Sequence, residues 1–189
     1  CIAIFLRYNC QLLIVDYQLI KGVFMFNTIN EFKQAWDNEA QATMKVFDYL
    51  TDEGIAQKVT PGTRSLGFLG WHLASSLQEM PTQIGMKDES PLDPNYEPQN
   101  VQEIKEAYSK ANEMLNNFLT TLNNETLKQE FDIYGERWSA DFLLTALITH
   151  QIHHRGQMTV LMRQAGLKVP GIYGPSKEEW VNYGAPAQK

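Results

Sequence analysis

Apolar residues recur at three- and four-residue steps in four stretches of the chain, and each stretch predicts an amphipathic helix. The first covers roughly 28–50, with Ile29, Phe32, Trp36, Ala40, Thr43, Phe47 and Leu50 on one side. Gly54 and the run Thr60-Pro61-Gly62 stop it. The second covers roughly 65–80 on the stripe Leu66, Leu69, Leu73 and Leu77, with Thr63 or Ser65 as its cap and Pro81 as its end. A polar connector of about 81–100 follows, containing Pro91, Pro94 and Pro98, and it is long for a joint between two helices. The third helix is expected over about 101–122, burying Ile104, Tyr108, Ala111, Leu115, Phe118 and Leu122. Asn123-Asn124 then opens an irregular stretch to Trp138 in which no strand is expected.

The fourth helix has the clearest signals. Ser139 is a good N-cap, and Asp141 lies in the first turn, where the helix dipole favours a carboxylate. Leu143, Leu147, Met158, Leu161 and Ala165 continue the stripe to Gly166, a suitable C′ glycine. The tail 167–189 is rich in turn residues, and Ser176-x-x-Glu179 reads as a capping box opening one short helix. Four amphipathic helices with no repeat and no sheet predict an all-α fold, a four-helix bundle with a long connector between helices 2 and 3 and an irregular C-terminal tail.

Residues 1–24 break this pattern. They are apolar but interrupted by Arg7, Asn9, Gln11, Asp16 and Lys21, so no apolar run reaches the length of a signal core or a membrane span. The clean helical pattern begins after Met25. Two readings stay open: a leader appended or translated upstream of Met25, or an ordinary N-terminal element packed on the bundle. The domain itself is placed at 25–189, with every candidate ligand inside it, so 1–24 is expected to be dispensable for the site.

Length and charge narrow the function. A chain of 189 residues suits one domain with a full core. A formal net charge of −6 with no Lys/Arg cluster disfavours nucleic acid and an anionic membrane surface as partners. Cys1 and Cys10 are the only cysteines, which removes thiolate ligands, a cysteine nucleophile and a disulfide framework from the bundle and fits a cytoplasmic protein.

The histidines carry the chemistry. There are four: His72 on helix 2, and His150, His153 and His154 on helix 4. Positions i and i+4 lie about 40° apart around a helix, so His150 and His154 stack on one face, the one that also carries Leu147, Met158 and Leu161. Two imidazoles on a core face need hydrogen-bond partners or a metal. With His72 from a facing helix they make three neutral ligands and leave coordination positions open, the pattern of catalytic sites. A bundle whose histidines only hydrogen-bond is the competing reading. His153 points elsewhere, beside Phe142, Ala146 and Val160, a second apolar line that would meet another helix or another subunit.

The run His150-Gln151-Ile152-His153-His154-Arg155-Gly156-Gln157, followed by Gly166-Leu167-Lys168-Val169-Pro170, resembles the DinB/YfiT-like family of metal-binding four-helix bundles, as does the upstream Leu69-Gly70-Trp71-His72-Leu73. The likeness runs from about Met25 to the end of the chain. It implies a DinB-like bundle, metal ligation by His72, His150 and His154, and a homodimer. It also implies transfer of a small thiol of the bacillithiol type, with metal-dependent hydrolysis or a non-catalytic stress-response module as alternatives. The activated species would be a metal-bound thiol or water, and no protein side chain stands out as a catalytic base. Asp48 and Glu79 lie near helix ends, where solvent is the expected surrounding.

The neighbours of the ligands are open to two readings each. Arg155 is either a substrate contact or, the favoured reading, one half of an ion pair with Glu106 or Glu113. Gly156 in mid-helix suits a close approach by another helix. Gln157 either holds an imidazole N–H or is solvated. Trp71, Trp138, Tyr134 and Trp180 wall a pocket or fill the core. One divalent transition metal is expected, zinc or nickel first, with iron and manganese open.

Overall fold

The computed structural model describes residues 25–186. Both readings of 1–24 therefore lie outside the described residues. Four helices form the bundle: α1 (Ile29–Phe47), α2 (Leu66–Thr82), α3 (Val101–Leu119) and α4 (Ala140–Gln164). Each begins on a side-chain cap that satisfies an otherwise unpaired amide: Thr28, Ser65, Asn100 and Ser139. Pro81 does not stop α2. It lies inside the last turn, and Gln83 and Ile84 donate to the Met80 and Pro81 carbonyls, so the helix tightens and ends two residues later than expected. Gly166 ends α4 at a φ of 74°, with the Leu167 amide on the Met162 carbonyl and its own amide on the Arg163 carbonyl, a Schellman closure.

Pairs of contacting residues give the helix directions. Gly70 faces Ile104 and Gln78 faces Met114, so α2 and α3 run parallel. Phe26 reaches Asp141 and Glu39 reaches Arg155, so α1 and α4 run parallel as well. His72 beside His150, with Glu79 beside Tyr134, sets α2 against α4 in opposite directions. Two parallel neighbours need a return path as long as a helix, and that is what the long connector supplies. It runs back along α2, tied by the Leu92 amide to Gln78, by the Trp71 indole to the Asp93 carbonyl, and by the Ser65 hydroxyl to Glu97.

The core is the set of stripes expected from periodicity. Phe32, Trp36 and Phe47 of α1, Leu66, Leu73 and Leu77 of α2, Ile104, Tyr108 and Leu115 of α3, and Leu143, Leu147 and Met158 of α4 are all fully buried. At the α2–α3 contact a Cβ on Gly70 would come within 2.9 Å of Ile104. The missing side chain lets the two helices close up two residues before His72.

Two strands occupy the stretch where none was expected. β1 (Glu130–Ile133) and β2 (Glu136–Ser139) pair antiparallel, with Ile133 opposite Glu136 and Phe131 opposite Trp138. The turn residues Tyr134 and Gly135 have φ of 52° and 87°, the sign that a two-residue hairpin turn demands at both positions. Four-residue strands carrying Glu130, Asp132, Glu136 and Arg137 show too little alternation to be read from periodicity. Ile133 and Trp138 are buried on the inward face, with Phe131 half-buried beside them, and the hairpin lies over the start of α4, where Trp138 meets Phe142 edge to face at 4.8 Å.

That cover takes up part of the second apolar line of α4. Ala146 is buried within the chain and Phe142 packs on Trp138; Val160, beyond the hairpin's reach, stays exposed. The short C-terminal helix is a 3-10 turn, Trp180–Tyr183, later than its expected start at Ser176. Glu179 still accepts from the Ser176 amide, but also from the Gly171 amide, so the carboxylate closes a loop rather than opening a helix.

Candidate metal centre

Position 72 lies midway along α2, and positions 150 and 154 lie one turn apart midway along α4. Because the two helices are antiparallel neighbours, the three side chains meet. His72 Nε2 and His150 Nε2 are 3.2 Å apart. One nitrogen from each of the three rings lies within 4.8 Å of the others, and the ring centres form a near-equilateral triangle of 4.9, 4.7 and 4.4 Å. Nitrogens held about 2.0–2.1 Å from one tetrahedral ion stand roughly 3.3 Å apart, so the His72–His150 spacing already suits a shared cation.

The tautomers suit it too. His154 Nδ1 lies 2.7 Å from Gln157 Oε1, and an amide oxygen can only accept. The proton is therefore on Nδ1, and Nε2 keeps its lone pair toward the other two rings. The Gln157 amide nitrogen in turn donates to His153 Nε2 at 3.1 Å. Gln157 is thus a partner of the ligand, the first of its two readings. His153 is exposed and stands outside the triangle, as its place on the helix predicts.

Electrostatics hold all three rings neutral at pH 7. Burial, reinforced by His154 and Arg64, lowers the His72 pKa to about 3. Burial lowers His154 to about 4, against the Gln157 hydrogen bond, with His153 and Arg64 adding to the fall. Burial, with the neighbouring cationic groups, sets His150 well below its ordinary value. Neutral imidazoles are the form that ligates metals. Burial is the largest cause at each ring, and the Arg64 guanidinium adds to the fall at all three.

A buried polar chain fixes the register behind the rings. Gln151 donates to the Leu73 carbonyl at 3.1 Å and to the Ser76 hydroxyl at 3.2 Å, and accepts from the Tyr108 hydroxyl at 3.2 Å. One fully buried amide thereby ties α4 to α2 and α3, one residue from His150. Sequence reading missed it. Its one signal was an uncharged polar residue on the buried side of a helix.

Arg155 is placed differently from the favoured expectation. It does not reach Glu106 or Glu113 on α3 but turns to α1, where it is buried and pairs with Glu39. Its guanidinium also donates to the Glu39 carbonyl, the Thr43 hydroxyl and the Tyr173 hydroxyl, which itself donates to Glu39 at 2.7 Å. With its fork committed to these groups, Arg155 would have to leave them to reach a substrate. Gly156 is exposed, and nothing lies within 4 Å of the place of its missing Cβ, so the expected close helix is not found among the described residues.

The remaining candidates fall away from the histidines. Asp48 pairs with Lys105 at 2.6 Å, and Glu79 accepts from Tyr134. Trp138 is core, and Trp180 sits in the tail turn. Trp71 packs on Tyr96 at the edge of a cleft of about 360 Å³ shared with Glu103, Glu106 and Lys110, which none of the three histidines lines.

Comparison with known proteins agrees with this architecture. The chain is 40% identical over 166 residues to the uncharacterized protein YrdA of Bacillus subtilis (strain 168), an alignment covering 87% of this chain and 99% of the relative. It is similar to the crystal structure of a DinB-like protein from Bacillus cereus ATCC 10987, with a TM-score of 0.75 at 37% identity over 79% of this chain and 100% of that one. The DinB family model matches residues 25–188, the whole of the bundle with its histidine-bearing helices: the chain belongs to the DinB family.

Proposed function

We propose that this protein holds one divalent transition-metal ion, zinc or nickel, through His72, His150 and His154, and that it transfers a small thiol, of the bacillithiol type, to an electrophile. The observation that carries the metal reading is the meeting of three imidazoles from two helices, each kept neutral by burial. When bound, such an ion retains its full charge on neutral ligands and lowers the pKa of a thiol or water placed on it. The chain's part is to orient the rings through Gln157 and to lock α2 against α4 through Gln151.

The proposal extends to a homodimer, supported by the exposed Ile152 and Val160 beside Gly156 on the outer face of α4. It also extends to a reducing compartment such as the cytoplasm, supported by the absence of cysteine after Cys10. No described helix is long and apolar enough to cross a membrane.

The experiment is a paired assay on metal-loaded protein, with thiols and electrophiles in one panel and esters and amides in the other. Thiol conjugation that is lost in His154→Ala supports transfer. Hydrolysis without thiol, lost in the same variant, replaces it with hydrolysis. Silence in both panels with the metal in place moves the reading to a non-catalytic metal-binding module.

A further inference from the structure

Arg155, for which substrate contact is the less favoured of two readings, is engaged elsewhere, but another arginine stands beside the histidines. Arg64 immediately precedes the Ser65 cap of α2, and Phe68 and His72 lie four residues apart on one side of that helix. The guanidinium carbon lies 5.3 Å over the centre of the Phe68 ring. That ring in turn stacks on His72 at 6.2 Å and 14°. Phe68 is therefore a flat spacer between a cation and a candidate ligand.

Arg64 differs from the other described arginines. Arg137 sits on Glu130 and Asp132, Arg155 on Glu39, and Arg163 on Glu178. Arg64 is half-buried, yet among the described residues it has no carboxylate and no hydrogen-bond acceptor, only the face of Phe68. A guanidinium drawn partly out of water without an anion is a standing cost, which a bound oxyanion removes. Its positive field reaches all three imidazoles. A divalent ion on neutral ligands adds two more positive charges to the same place. Such a site favours anions, and the planar fork suits a carboxylate in particular.

We infer that Arg64 is the specificity residue of this site, holding the carboxylate of a small molecule whose other end lies at His72, His150 and His154. The inference rests on the metal reading above. It names the substrate class as an acid with its reacting group a few bonds from the carboxylate, the length being set by Phe68, which separates the two ends.

The test uses the full chain loaded with cobalt(II), and ω-mercapto acids of two to five methylenes beside the matching ω-mercapto alcohols. Binding is read from the thiolate-to-cobalt charge-transfer absorption. At least one acid is expected to bind about tenfold or more tightly than its alcohol, the scale of one charge-assisted pair. Arg64→Gln should abolish that preference, lowering acid affinity about tenfold more than alcohol affinity while the chain still takes up cobalt, and Arg64→Lys should restore part of it. A merely structural arginine would shift acid and alcohol affinities together. Equal binding of acids and alcohols by the wild type, or a preference that survives Arg64→Gln, overturns the role of Arg64 and leaves the metal reading intact. A wild-type chain that takes up no cobalt through the histidines overturns both.

Discussion

Gln157 accepts from His154 across 2.7 Å, and through that bond the side chain that faces away from the triangle decides which nitrogen of the ring faces into it. The same amide holds His153 by its other end, so one residue links a ring of the triangle to a solvent-facing imidazole. Gln157→Leu should keep the fold, because Gln157 is exposed, but weaken metal affinity by about 10- to 100-fold, the usual cost of losing such a partner. Competition against a chelator of known affinity measures it.

Gln151 is the second device. Gln151→Met matches its shape but takes one hydrogen-bond partner each from the Tyr108 hydroxyl, the Ser76 hydroxyl and the Leu73 carbonyl in the core. The expected loss is about 1–3 kcal/mol of unfolding free energy, read by urea denaturation at unchanged slope.

The ion pair between α1 and α4 should matter for stability and little for metal. Arg155 and Glu39 have side chains 3% and 13% exposed, and removing one leaves the other's charge buried. Glu39→Ala is expected to cost about 3–5 kcal/mol. Metal content per folded chain should stay at the wild-type level, because neither residue contacts the imidazoles.

The low histidine pKa values fix the pH dependence of the metal-free protein. In the unfolded chain these rings take up protons near pH 6.5, while in the folded chain His154 resists until about 4 and His72 until about 3. Stability from this source is complete above about pH 6.5 and is lost as pH falls from there toward 4 and 3. The slope can reach about 1.4 kcal/mol per pH unit for each histidine. Denaturation midpoints of the apo protein between pH 8 and 4 should fall steadily in the lower half of that range. His72→Gln should flatten the fall.

The bundle was legible because each helix carries its own start, stop and stripe. Ser139, Asp141 and Gly166 mark α4 almost to the residue, and a pair of histidines four apart on the apolar side of a helix announces a shared face. Periodicity says which side of a helix is buried but not which helix covers it. That is why Arg155 was paired in expectation with α3 and lies in fact on Glu39, 116 positions away in sequence. The same gap hid the parallel run of α2 and α3, although the length of the connector was its trace. The hairpin was hidden for another reason: its strands are four residues each, and the inward Phe131, Ile133 and Trp138 are too few to make a pattern. Arg64 escaped because its spacing to His72 means nothing until Phe68 is known to lie flat between them.

The central claim is that His72, His150 and His154 form one metal site, and metal content tests it most directly. Untagged protein, and its His72→Ala, His150→Ala, His154→Ala and His153→Ala variants, would be dialysed against buffered zinc or nickel and analysed by mass spectrometry of the elements. About one ion per chain is expected in the wild type and in His153→Ala, with most of it lost from each of the other three. Metal retained by His154→Ala but stripped by His153→Ala, or a wild type that binds none, would contradict the account.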